Sequence, residues 1–198
     1  MRFALIGAAA LAATAAAFFA IAQPTPSTQT PARQLMPIDW EELRDAVKNQ
    51  RLQRTRTMKV TIAANAPRPS LPMLLPLEPT MLAAAINVFP RPDSYAASMR
   101  MGDITIEVHG DRRAAVLAKD DPLMQLAQGK SKSMVAGREV PVVIDKTEGG
   151  FDITFSRFGA AYLIAIECRQ PETDERCTKP EFVEKLAQRM ALAGPDSP

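Results

Sequence analysis

The stretch that decides the fold is Val140–Cys168, VPVVIDKTEGGFDITFSRFGAAYLIAIEC. Apolar and polar residues alternate along three runs within it, as they do in half-buried β-strands: Val140–Lys146, Phe151–Ser156 and Ala160–Cys168. The two connections contain glycines, which tight turns favour because glycine adopts positive φ readily. If Ile144 opposes Ile153 and Ile153 opposes Ile164, both pairings place the same apolar set on one face. Because two independent turns agree, the stretch predicts an antiparallel meander.

An upstream hairpin extends this sheet. The same alternation runs through Ser94–Met101 and Asp103–His109, which meet at a glycine. A turn at that glycine pairs Met99 with Ile106 and puts both on one apolar face. Methionines beside a histidine are a ligand type that copper(I) accepts. In this pairing, however, Met99 faces the core and His109 faces the other side. The sequence therefore predicts no metal site and no cofactor.

Two helices are predicted to flank the strands. The first begins after Asp39, and Glu42 follows at the spacing of a capping box. Its apolar stripe consists of Trp40, Leu43 and Val47. The last helix is predicted to begin at a Thr178 cap and to end before Gly194. Together these elements predict an α+β fold, in which an antiparallel meander sheet of about five to six strands is covered by an N-terminal and a C-terminal helix.

A proline-rich stretch, Pro67–Pro92, lies between the first helix and the hairpin. It holds seven prolines, with leucines and methionines between them. Proline lacks the N–H that a central strand needs, so the stretch predicts an extended apolar arm laid over the sheet. The alternative is an exposed strip that binds a partner, but large exposed apolar patches are uncommon on monomeric proteins.

The beginning of the chain is typical of an export signal. Arg2 precedes an uncharged, alanine-rich run that ends in the small-x-small pattern of a cleavage site at residues 20–22. We therefore predict a signal peptide at 1–22, a disordered Pro/Ser/Thr linker at 23–37, a single globular domain at 38–194 and a tail at 195–198. The protein is expected in the periplasm or outside the cell. The alternative is a chain tethered by an uncleaved N-terminal helix.

The chain has two cysteines, Cys168 and Cys177. In an oxidising compartment two cysteines this close in sequence usually pair. A redox pair usually shows the C-x-x-C spacing, and a zinc site needs three or four ligands. Neither pattern is present in the sequence, which predicts a structural disulfide.

Charge narrows the classes of partner. The 24 basic and 22 acidic side chains nearly balance, which argues against an obligate polyanion partner. Basic residues concentrate in one stretch, the candidate basic patch: Arg44, Lys48, Arg51, Arg54, Arg56 and Lys59. Such a patch suits an anionic envelope surface or an acidic envelope protein, and the alternative is a solvated helix face. No aromatic residues interleave there to stack bases, so nucleic acid is not expected as a partner.

Catalytic signatures are missing from the sequence. The chain has one histidine, so a Ser-His or Cys-His arrangement must use His109. A Gly-x-Ser-x-Gly elbow is also missing. The leading hypothesis is therefore an exported cell-envelope accessory or binding module without catalytic activity. One alternative is a carrier that holds an apolar small molecule between the sheet and the proline-rich arm. A second alternative is a small hydrolase that uses His109.

Overall fold

A computed structural model describes residues 33–53, 60–62, 66–77, 85–115 and 131–193, with only the backbone described at 51–53 and 114–115. The strands in these ranges are β1 (Arg33–Leu35), β2 (Val60–Ile62), β3 (Leu74–Pro76), β4 (Ile86–Pro90), β5 (Ser94–Met101), β6 (Ile104–Asp111), β7 (Arg113–Ala115), β8 (Ser131–Val135), β9 (Arg138–Lys146), β10 (Gly150–Arg157), β11 (Ala160–Cys168) and β12 (Met190–Leu192). The helices are α1 (Trp40–Gln53), α2 (Glu175–Thr178) and α3 (Glu181–Gln188).

The central feature is a sheet of eight strands in the order β2-β4-β5-β6-β11-β10-β9-β8. All neighbours are antiparallel except β2 and β4, which run parallel, so the sheet is mixed. Small two-stranded sheets join β1 to β7 and β3 to β12. The described part of the chain is thus mostly β, and the predicted α+β fold with five to six strands is wrong.

The predicted meander and hairpin are both present. Ile153 opposes Ile144 on β9 and Ile164 on β11, as the turns require. In the hairpin of β5 and β6, Met99 opposes Ile106. Met99 is buried in the core, whereas His109 lies on the other face of the sheet. The alternation of side chains therefore located these strands and their inner face correctly.

The sheet extends into the proline-rich stretch, so the prediction of no central strand there is wrong. Ile86–Pro90 forms β4, with β2 on one side and β5 on the other. The prolines of the stretch fall before β4, at its last residue or beyond its end, so most of β4 keeps its N–H donors. The described part at 66–77 does lie over the apolar face, since Leu71, Leu74 and Leu75 are buried.

Helix α3 covers part of that apolar face, but α1 does not. α3 contacts β8, β10 and β11 through a buried side that includes Val183 and Leu186. α1 instead contacts β12, and Trp40 at its start is 52% exposed. Its apolar stripe is too short to cover a sheet, because Leu43 is fully buried while Val47 is only half-buried. Within the described residues no N-terminal helix covers the sheet.

The structure describes short elements near both ends of the predicted domain. Arg33–Leu35 lies inside the stretch predicted as linker, yet it pairs with β7. Near the C-terminus, α3 ends at Gln188, and the next residues form β12 rather than more helix. Thr178 is the last residue of α2, whose N-cap is Asp174. The boundaries at 22 and 194 lie outside the described residues and stay predictions.

The predicted disulfide is confirmed. The sulfur atoms of Cys168 and Cys177 are 2.07 Å apart, and the bond joins the end of β11 to α2. Cys177 is fully buried, and its carbonyl accepts a hydrogen bond from the Lys146 ammonium. None of the helices in the described ranges has the length and apolar character needed to cross a membrane.

Candidate functional site

The candidate site is a cleft of about 1100 Å³ between α1 and β12, and the turn between β8 and β9 borders it. Of the eighteen described residues that line it, ten are polar or charged: Asp39, Glu41, Glu42, Asp45, Asn49, Gln50, Arg138, Arg157, Gln188 and Arg189. The remaining residues are Ala46, Leu77, Met134, Ala136, Gly137, Met190, Ala191 and Leu192. A concave site of this size with a mixed lining suits a small molecule or a short polymer segment.

A buried ion pair holds the N-terminal end of α1. The Glu42 carboxylate contacts the guanidinium groups of Arg157 and Arg138, and it accepts a hydrogen bond from the Phe158 N–H at 3.3 Å. The Arg157 side chain is 4% exposed, whereas that of Arg138 is 63% exposed. Glu42 therefore joins α1 to the end of β10 through Arg157 in the interior, and to the start of β9 through Arg138 at the surface.

Arg157 lies on the apolar face of β10 and has several partners. It donates hydrogen bonds to the backbone carbonyls of Val135 at 3.3 Å and Ala136 at 3.2 Å. Its guanidinium also lies 4.4 Å from the centre of the Phe158 ring. Burial lowers the pKa of Arg157, but arginine stays charged at any ordinary pH. Arg157 thus ties α1, β10 and the β8–β9 turn together, which fixes one end of the cleft.

The sequence pattern predicts the cap of α1 but not this ion pair. The Asp39 carboxylate accepts a hydrogen bond from the Glu42 N–H at 2.9 Å, as the predicted cap requires. The Glu42 side chain does not complete a capping box and turns to Arg157 instead. A sequence pattern in β10 could have predicted the ion pair, because an arginine follows Phe151, Ile153 and Phe155 on the inward side of the alternation. A charge at such a position predicts a buried partner.

The other end of α1 is attached to β12 by Gln50. The Gln50 amide donates to the Leu192 carbonyl at 2.9 Å and accepts from the Leu192 N–H at 2.8 Å. This is the pair of hydrogen bonds that a neighbouring strand would make. α1 therefore spans the cleft between two polar attachments, Glu42 and Gln50.

The two walls of the cleft differ in charge. The wall formed by α1 and its capping residue contributes the carboxylates of Asp39, Glu41 and Asp45, all on exposed residues. The opposite side contributes Arg138 and Arg189. This arrangement suits a ligand that carries both polar and charged groups rather than a purely apolar one.

The two residues of the candidate basic patch whose side chains the structure describes do not line this cleft. Arg44 and Lys48 are exposed on α1 but are not among the lining residues. Arg51 is described only by its backbone, and Arg54, Arg56 and Lys59 lie outside the described residues. The basic patch therefore stays a prediction.

Within the described residues, His109 forms no Ser-His or Cys-His hydrogen bond. Its Nε2 atom is 3.3 Å from a carboxylate oxygen of Glu107, and both side chains are nearly half exposed. Within the described ranges, the hydrogen-bond partner of the imidazole is Glu107 rather than a serine or a cysteine. The same ranges contain no group of three or more His, Cys, Asp or Glu side chains placed to hold a metal ion.

Comparisons with known proteins give no match from which a function could be inferred. No protein-family model matches the chain. Searches of curated proteins and of solved structures find no significant match either.

Proposed function

We propose that the chain is an exported, non-catalytic binding module of the cell envelope, and that the cleft between α1 and β12 is its binding site. The single observation that carries the proposal is the cleft itself, with its volume of about 1100 Å³ and its mixed polar lining. The disulfide between Cys168 and Cys177 supports export, because such bonds persist in oxidising compartments.

The shape of the cleft supports binding more than chemistry. Its most buried charged residue, Arg157, is bound by Glu42 and by two backbone carbonyls, so its role is structural. The exposed lining residues Glu41, Asp45 and Asn49 lie on one helix, at positions that a ligand can reach. No observation favours the carrier or the hydrolase over this proposal.

A site-specific crosslinking experiment tests the proposal. A photo-crosslinking amino acid replaces Asn49 in the cleft, and in a control chain it replaces Thr154, which is exposed on β10 outside the cleft. Both chains are expressed in the exporting cell and irradiated in place. We expect a defined envelope component to attach to the Asn49 probe and not to the Thr154 probe, and this product to decrease with Asp45→Lys. A chain retained in the cytoplasm, or identical products from both probes, would contradict the proposal.

A further inference from the structure

Among the described strands, β8 lies at the edge of the eight-stranded sheet and has β9 as its one neighbour. It ends in a two-residue turn of Ala136 and Gly137, both with positive φ, which pairs Val135 with Arg138. In such a hairpin the residues that flank the turn exchange hydrogen bonds, and the pattern alternates from there. The backbone N–H and C=O groups of Lys132 and Met134 therefore point away from β9. Within the described residues they lie at the open edge of the eight-stranded sheet.

The side chains of this edge are compatible with pairing. Met134 is 48% exposed, so it presents an apolar side chain at this edge. A lysine on an edge strand ordinarily discourages pairing. Here the Lys132 ammonium lies 3.1 Å from the Glu139 carboxylate on β9, so its charge is balanced within the same chain.

A second, independent observation lies at the centre of β8. The Ser133 side chain faces the interior and is 8% exposed. Its hydroxyl is the buried side-chain polar atom that lacks a hydrogen-bond partner within the described ranges. Buried hydroxyl groups nearly always have a partner in native structures, because leaving one unpaired costs free energy.

Strand β8 is complementary to itself about Ser133. If a second β8 lies antiparallel with Ser133 opposite Ser133, then Lys132 of each copy faces Met134 of the other. Both pairs exchange N–H and C=O hydrogen bonds, so all the outward-pointing groups of these two residues are satisfied. The two serines form the non-hydrogen-bonded pair at the centre, with Cα atoms about 4.5 Å apart. At that distance their hydroxyls can bond to one another.

We propose that the chain forms a two-fold symmetric homodimer through antiparallel pairing of β8 with β8 of a second copy, centred on Ser133. The two eight-stranded sheets then form one continuous sheet. The interface is isologous, since the same strand serves both copies. Met134 lines the cleft as well as the edge, so the dimer places the two clefts beside the shared interface. This proposal does not depend on what the cleft binds.

A cysteine placed at the centre of the interface provides the first test. In Ser133→Cys the two thiols face each other at a Cα separation within the range of disulfides. We expect a crosslinked dimer on non-reducing gels of the exported protein. The matched control is Ser131→Cys, since Ser131 faces Val135 of the other copy and its thiols are too far apart to join. Equal crosslinking of the two variants, or none with Ser133→Cys, overturns the proposed pairing.

The second test removes one hydrogen-bond donor from the interface and keeps the hydrogen bonds between β8 and β9 within the monomer. The Met134 N–H points away from β9, and proline is tolerated at an edge strand when its missing donor faces outward. Met134→Pro is therefore expected to weaken the dimer at least tenfold in sedimentation equilibrium, while Met134→Gln, which keeps the donor, weakens it less than threefold. Thermal melting in the monomeric range of concentration identifies any failure of Met134→Pro to fold, in which case Lys132→Pro replaces it. Wild-type chain that remains monomeric at high concentration overturns the proposal, as does a dimer unaffected by the proline.

Discussion

The phenolic oxygen of Tyr95 accepts a hydrogen bond from the Leu74 N–H at 2.9 Å and donates one to the Leu74 carbonyl at 2.8 Å. The backbone N–H and C=O of Leu74 need these partners, because the hydrogen bonds between β3 and β12 are made by backbone groups of the residues on either side of Leu74. The Ala193 N–H donates to Met73, and the Leu77 N–H donates to Arg189. Tyr95 therefore pairs with the side of β3 that β12 leaves open, and it fastens the proline-rich arm to the central sheet.

Replacing this phenol should destabilise the protein. Tyr95→Phe leaves two buried backbone groups of Leu74 without a partner, which should lower the free energy of unfolding by about 2–3 kcal/mol. Tyr162→Phe is the matched control, because its hydroxyl makes one hydrogen bond, to the Pro72 carbonyl at 2.9 Å. We expect a loss of about 1 kcal/mol for the control. Urea unfolding measures both values, and equal losses would contradict the role assigned to Tyr95.

The same tyrosines predict how stability depends on alkaline pH. Burial raises the pKa of Tyr95 and of Tyr162, the chain's two tyrosines, above the ordinary value. Folding then favours the neutral phenols, so their contribution is complete below about pH 10 and declines as the unfolded chain ionises above it. We expect the free energy of unfolding to fall above that pH, and to fall less steeply in Tyr95→Phe. Tyrosinate absorbance that appears before unfolding would refute this account.

The ion pair of Glu42 and Arg157 offers a comparison between a buried and an exposed partner. Glu42→Gln leaves the Arg157 charge in the interior without its carboxylate, which should cost about 3 kcal/mol. Arg138→Ala removes only the exposed partner of the same carboxylate and should cost less than about 1 kcal/mol. Chemical denaturation compares the two variants. A larger loss for Arg138→Ala would show that the surface contact, not the buried one, holds α1.

Asp152 is a position at which a substitution should stabilise the folded protein. Burial and the nearby carboxylates of Asp145 and Glu167 raise its pKa. Ionised Asp152 therefore disfavours folding above this raised pKa, and the penalty disappears below about pH 4, where the carboxyl is protonated in both states. We expect Asp152→Asn to raise the free energy of unfolding at pH 7 and to leave it unchanged at pH 3. The same gain at both pH values would exclude the electrostatic explanation.

Removing the disulfide should lower stability without abolishing the fold. In the chain-entropy model, freeing a loop of about ten residues costs about 2.7 kcal/mol. The Cys168→Ser, Cys177→Ser double variant should therefore melt lower by roughly 5–10 °C. Thiol titration of denatured, unreduced protein should find no free thiols in the wild type. Two free thiols in exported material would contradict the bond.

Sequence patterns predicted the local pairings well and the long-range ones poorly. Period-two alternation and glycine turns were sufficient for β9 to β11 and for the β5–β6 hairpin, because each pairing joins neighbours in the chain. β12 is an element that local sequence patterns could not predict. Met190 fits the apolar stripe of a helix equally well, and only the distant partner strand β3 decides that it belongs to a strand.

The candidate site was harder to predict for the same reason. The Glu42 carboxylate and the Arg157 guanidinium are 115 residues apart in sequence, and no local spacing relates them. The cleft exists because α1 is too polar to lie flat on the sheet and is attached at its two ends instead. A prediction from local amphipathicity places α1 on the sheet and therefore misses the cleft.

The pairing of β12 with β3 makes two distant segments depend on one short strand. Residues 190–192 provide backbone hydrogen bonds to β3 on one side and to Gln50 of α1 on the other. Loss of β12 is therefore expected to release β3 and the C-terminal part of α1 together, so that these two segments order and fray as one unit rather than separately.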